Sequence, residues 1–127
     1  MWLRVSVQPG DLRAVGDADR MHQVVSNLLE NAVRHTPTDG RVWLSAHAAK
    51  AGVTTIEVAD EGPGIPLDEA ERVFERFHRV DAARAARDGG TGLGLAIARW
   101  IVDAHGGTIA VREREPHGCR VVVELPR

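Results

Sequence analysis

The stretch Asp17 to His35, DADRMHQVVSNLLENAVRH, constrains the fold more than any other part of the chain. Met21, Val24, Val25, Leu28, Leu29 and Ala32 recur at helical spacing, which predicts an amphipathic helix with one buried face. At about 100° per residue, Gln23, Asn27, Glu30, Asn31 and Arg34 gather on the opposite face. Asp17 stands at the N-cap position and Pro37 closes the far end. A face turned only to water usually carries Lys and Glu. Two amides one turn apart, with an arginine a turn further on, suit a polar ligand; a solvated face with incidental Asn is the competing reading.

The rest of the chain narrows the choice by exclusion. At 127 residues it forms one domain, 1–127, long enough to bury a core. Lys+Arg 16 against Asp+Glu 18 leaves no electrostatic footprint for nucleic acid or an anionic membrane. Lys50 is the only lysine, so a Walker-type nucleotide site, which needs a P-loop lysine, is excluded. Cys119 is alone, which rules out a disulfide framework and a Cys-based zinc site. No apolar run approaches the ~20 residues that span a bilayer, and no signal peptide opens the chain. A soluble, cytoplasmic domain is expected; any membrane-anchored part of a parent protein would lie outside this sequence.

In chain order, Leu3–Val7 alternates as a short strand, and Leu12–Val15 reads as a second. After the long helix, Arg41–His47 and Val53–Ala59 read as antiparallel neighbours across the turn at Lys50-Ala-Gly52. Leu67–Phe77 reads as a short helix with acids in its first turn. Val80–Arg87, rich in Ala and Arg, reads as a mobile segment ending in Asp88-Gly-Gly90. Leu95–Ala104 is a clear helix stopped by His105-Gly-Gly107, and Thr108–Arg112 and Arg120–Leu125 are strands about the Pro116-His-Gly118 turn. Strands mixed with helices at hairpin distances predict an α+β, two-layer α/β sandwich. Its mixed, mostly antiparallel sheet would carry helices on one face.

Two glycine clusters carry the chemistry. Gly90-Thr-Gly-Leu-Gly94 runs into a helix N-terminus, where free N–H groups and the helix dipole attract phosphate. It is not the dinucleotide fingerprint, because no strand directly precedes it and Leu95 stands at the third glycine position. Asp60 ends an apolar strand and precedes Gly62-Pro-Gly64-Ile65, which places a carboxylate at the rim of an apolar pocket. Such a carboxylate can accept the exocyclic amine of adenine, where guanine offers a carbonyl, and an unpaired buried group costs ~1–3 kcal/mol. The plainer reading makes Asp60 a turn-former with Gly62.

These residues carry a resemblance. Asn27-Leu-Leu-Glu-Asn-Ala-Val-Arg-His35, Asp60-Glu-Gly-Pro-Gly64, Val73-Phe-Glu-Arg-Phe-His-Arg79 and Gly90-Thr-Gly-Leu-Gly-Leu95 stand in the order seen in the catalytic ATP-binding domains of two-component sensor histidine kinases. The chain resembles that family, within the superfamily shared by gyrase, Hsp90 chaperones and MutL, whose fold is the Bergerat ATP-binding fold. The resemblance covers nearly the whole chain.

The resemblance implies roles. Asn31 would hold the Mg²⁺ that bridges the ATP phosphates, with Asn27 supporting the metal and phosphate region. Arg34 stands where Lys is usual and would meet phosphate oxygens with a broader fork. His35 stands where Tyr is common and would lie by the nucleotide. Asp60 would read adenine, Gly62 and Gly64 would allow close approach, and Ile65 would line the base pocket. Arg79 would reach the γ-phosphate. Val80–Gly89 would be the ATP lid. Gly90, Thr91, Gly92, Leu93, Gly94 and Leu95 would form its hinge and offer N–H groups to phosphate. Phe74 and Phe77 are either core residues or the apolar surface that docks the helical domain carrying the substrate histidine. Trp43 and Trp100 are expected in the core, and His22, His47, His105 and His117 are expected to be structural or exposed.

The implied cofactors are ATP and Mg²⁺, and the implied partners are a phosphoacceptor histidine domain and a downstream response regulator. No nucleic acid, direct membrane contact or self-association is implied for this fragment. None of the histidines lies in the family's phosphoacceptor pattern, so the acceptor lies elsewhere. Two alternatives stand: a gyrase- or chaperone-type ATPase, and a nucleotide-dependent binding module without transfer. The ATPases place a water-activating glutamate where this chain has Asn27, an amide that cannot act as a base.

Overall fold

Period-2 and period-3.6 patterns alternate along the chain, and each builds the element its spacing dictates. The structure is a computed structural model that describes residues 1–8, 10, 12, 14, 16–64, 72–74 and 94–126. Its elements in order are β1 (Trp2–Gln8), α1 (Ala18–His35), β2 (Arg41–Lys50), β3 (Val53–Asp60), a 3-10 turn at Arg72–Phe74, α2 (Gly94–Ala104), β4 (Thr108–Glu113) and β5 (Cys119–Pro126). The strands form one sheet of order β1-β2-β3-β5-β4. β1 pairs with β2 in parallel, and every other pairing is antiparallel. A parallel pair needs a crossover, and α1 supplies it.

α1 begins where its sequence says. Asp17, in extended backbone conformation, accepts the Arg20 N–H on its carboxylate at 3.1 Å, the bond that defines an N-cap. At the other end Thr36 leaves the helix, and its hydroxyl donates to the Ala32 carbonyl at 2.6 Å. Val24, Leu28 and Ala32 are the buried stripe, and Met21 and Leu29 pack at its edge. α2 contributes Ala98, Ile101 and Val102 to the same core. Beneath them, alternation along β5 turns Cys119, Val121, Val123 and Leu125 inward, with Val42 of β2 and Val58 of β3 beside them. The helices thus lie on one face of a mixed, mostly antiparallel sheet, the two-layer α+β sandwich expected.

Three local expectations change. Leu12 and Ala14 lie in no strand, and the rest of Leu12–Val15 is outside the described residues. Of the short helix expected over Leu67–Phe77, only the 3-10 turn at Arg72–Phe74 is described. Trp100, expected in the core, is 66% exposed. At about 100° per residue it falls on the side of α2 away from Ala98, Ile101 and Val102, so helical phase overrides its apolar character. Val80–Gly89 lies outside the described residues. Among the described residues no helix is long and apolar enough to cross a membrane.

Candidate functional site

Asp60 is the last residue of β3, between Val42 of β2 and Cys119 of β5. This central register leaves it 3% exposed. Its carboxylate accepts the Gly62 N–H at 2.8 Å and a bond from the Cys119 backbone. Burial raises its pKa above the ordinary carboxylate value; those two bonds and the positive charges of Arg114 and His117 pull it back down. A buried acid held by backbone donors from two segments is a positioned acceptor, more than a turn-former needs.

The glycines around it are packed against protein. A Cβ on Gly62 would lie 2.6 Å from the His35 carbonyl oxygen and 2.9 Å from Asp60 Oδ1. Gly64 has φ +82°, and a Cβ there would meet the Gly118 carbonyl oxygen at 3.1 Å. At both glycines protein backbone comes close, which packs the C-terminal end of α1 and the β4–β5 turn onto the Asp60 loop. Gly118, at φ +115°, sits so tightly on the Asp60 carbonyl that no Cβ fits. His117 adds a 3.2 Å contact between Nδ1 and the Gly62 carbonyl. His117 and Gly118 were visible in sequence only as part of a turn, and Arg114 carried no signal. Nothing there showed that the β3–β5 register brings this turn onto Asp60.

The amide face of α1 runs from this loop toward α2. Asn31, Arg34 and His35 are half-buried and Glu30 is exposed. Asn27 donates its Nδ2 to the Gly94 carbonyl at 3.1 Å, which ties the middle of α1 to the start of α2. At 1.5 Å per residue, Asn27 and His35 stand ~12 Å apart along the helix. A shallow groove of about 440 Å³ opens beside Arg34, lined by Leu29, Glu30 and Val33 as well. Among the described residues no cluster of His, Cys, Asp or Glu could hold a metal ion. The Asn31 amide oxygen remains a suitable ligand for Mg²⁺, a hard ion that takes oxygen donors and keeps several waters.

The side chains of two expected site residues pack inward. Leu95 packs against the hydrophobic core, because its long apolar side chain sits on the inward phase of α2. Phe74 is 5% exposed, with the Arg99 guanidinium 5.5 Å from its ring centroid. Of the two readings of Phe74, this burial is that of a core residue. Ile65, Phe77, Arg79, Gly90, Thr91, Gly92 and Leu93 lie outside the described residues.

His105 was not expected at any joint, yet it makes one. Its Nε2 accepts the Asp17 N–H at 3.1 Å while Nδ1 faces the Ile101 carbonyl at 2.7 Å, a pairing that fits the Nδ1–H tautomer.

A helix laid beside a buried strand-end carboxylate, with a glycine-opened helix start at its middle, defines a nucleotide-binding α/β sandwich. Residues 16–127 match the family of histidine kinase-, DNA gyrase B- and HSP90-like ATPases, and the chain belongs to it. Within that family it is built like the catalytic domains of sensor histidine kinases. A mycobacterial sensor histidine kinase, MprB, superposes with a TM-score of 0.84 at 34% identity, covering 98% of this chain and 80% of that one. Sensor histidine kinase WalK of Bacillus subtilis (strain 168) is 44% identical over 91% of this chain and 19% of its own length. Signal transduction histidine-protein kinase BaeS of Escherichia coli (strain K12) is 39% identical over 93% of this chain and 25% of its own length. This chain thus spans a quarter or less of those two curated relatives.

Proposed function

We propose that this domain binds Mg-ATP and passes the γ-phosphoryl group to a histidine on a separate dimerisation and phosphoacceptor domain. That histidine would then supply a response regulator in two-component signalling. The observation that carries the reading is Asp60, a buried carboxylate held at a strand end beside the C-terminus of the amide-bearing helix. The base would lie at this end, with His35 and Ile65 beside it. The triphosphate would extend along α1 past Asn31 and Arg34 toward Asn27 and Gly94. Mg²⁺, bound through Asn31, would neutralise phosphate charge. Arg34, Arg79 and the N–H groups of Gly90–Leu95 would hold the phosphate oxygens, with Val80–Gly89 as the lid. Phosphoryl transfer is mostly positioning and charge neutralisation, which such groups supply. The bond from the γ-phosphorus to the ADP oxygen breaks as a phosphorus–nitrogen bond forms to the histidine, and ADP leaves.

A solved relative is a complex of histidine kinase ThkA with the response regulator TrrA, which supports the downstream step. Hydrolysis is disfavoured because Asn27 stands where the ATPases carry a base, and an amide cannot take the proton of an attacking water. The test incubates the chain with γ-labelled ATP and a helical phosphoacceptor domain from a sensor kinase. Acid-labile phosphohistidine on the added domain is expected. Labelled phosphate in solution without phosphohistidine would replace the kinase by an ATPase.

A further inference from the structure

The side of the sheet away from the helices carries a cluster that the nucleotide reading does not use. Alternation sends Val42 inward to full burial, so its neighbours Arg41 and Trp43 face outward. The parallel register sets Trp2 beside Arg41 and Arg4 beside Trp43. The two indoles meet edge to face, with centroids 5.7 Å apart at 75°. The guanidiniums of Arg4 and Arg41 stand 5.5 and 5.8 Å from the Trp2 ring centroid. That of Arg114 stands 4.3 Å from the Trp43 centroid.

A guanidinium held on an aromatic ring is partly immobilised yet keeps in-plane N–H donors for a planar anion. Arg114 spends one donor on the His117 carbonyl at 2.9 Å. Glu61 lies 3.9 Å from Arg41 Nε, too far for a good hydrogen bond, and Glu57 is engaged by Arg120 at 2.8 Å. Among the described residues, the surface ion pair that these arginines make is the loose one of Arg41 with Glu61, and the buried Asp60 carboxylate adds its field at Arg114. This excess of positive charge is local, because the chain as a whole has a net charge of −2.

We propose that this sheet face docks an acidic stretch of a partner protein, its Asp and Glu carboxylates received by Arg4, Arg41 and Arg114. The guanidiniums are held in place before contact, so binding costs less rotamer freedom than it would with free arginines. Single-stranded nucleic acid fits less well. It needs open aromatic faces on which bases can stack, and here guanidiniums already approach both rings. A net-negative chain also lacks the wide field that gathers polyanions.

The test titrates the whole chain with a fluorescein-labelled poly-glutamate peptide at physiological ionic strength, following anisotropy. Saturable binding that weakens as salt rises is expected. The double variant Arg4→Gln/Arg41→Gln should weaken it roughly fivefold to tenfold, the size of two exposed charge pairs. Arg99→Gln, on α2, should change nothing. Circular dichroism and ATP affinity, both expected to match the parent chain, certify that the double variant is folded. Absence of saturable binding, equal binding by the double variant, or tighter binding of an oligothymidylate than of the peptide would each overturn the proposal. None of these outcomes bears on ATP binding or transfer, since neither Arg4 nor Arg41 is assigned to either.

Discussion

Asp60 shows how one side chain can weaken a fold while equipping it. Burial raises its pKa, so the folded state holds the carboxyl proton more tightly than the unfolded chain does. The stability tied to this group is therefore fully present at low pH and declines as pH climbs from the ordinary carboxylate value through the raised one. Across that acidic window the parent chain should gain stability over Asp60→Asn as pH falls, read from urea unfolding at a series of pH values. A flat or opposite trend would mean that the bonds from Gly62 and Cys119 outweigh burial. The same substitution should weaken ATP binding by ~1–3 kcal/mol and remove its preference over GTP, measured by calorimetric titration of both nucleotides. Gly118 acts through shape alone. With φ at +115° and no room for a Cβ beside the Asp60 carbonyl, Gly118→Ala should cost at least ~2 kcal/mol in denaturant unfolding.

Among the described residues, two side-chain hydrogen bonds join α1 to α2. Asn27 fastens the middle of α1 to the start of α2 through the Gly94 carbonyl, and His105 fastens the start of α1 to the end of α2 through the Asp17 N–H. The two helices are thereby held in one relative position. Removing the imidazole should free the Asp17 N–H and loosen the first turn of α1 without unfolding the sheet. His105→Ala is expected to lose ~1 kcal/mol and to speed amide exchange at Ala18–Met21 while leaving β3 and β5 protected. Gly16 belongs to this joint, since a Cβ there would lie 2.7 Å from His105 Cδ2.

For the whole molecule, ligand binding and folding are linked, because a site made from β3, α1 and the β4–β5 turn exists only in the folded chain. Mg-ATP at ~100 times its dissociation constant should add ~2.7 kcal/mol of stability, seen as a rise in Tm. Chelating the magnesium with EDTA should shrink that rise. Asn31→Ala should make the ATP-induced rise insensitive to EDTA; an undiminished magnesium response in that variant would remove the metal role from Asn31.

Much of this was legible in the sequence, for a physical reason. Helix and strand periods are local, so the buried stripe Val24, Leu28 and Ala32, the Asp17 cap and the inward alternation of β5 could be read from spacing alone. The amide face and Asp60 were likewise visible as the wrong residue types for plain surface. Pairing and phase are not local. Only the register of β3 with β5 brought Arg114, His117 and Gly118 onto Asp60, and only packing brought backbone close to Gly62 and Gly64. Helical phase sent Trp100 outward while Leu95 and Phe74 went to the core. The cluster of Trp2, Trp43 and three arginines joins residues from three parts of the chain. Hydrophobic pattern sets which face a residue takes, but the tertiary fold alone decides which residues meet there.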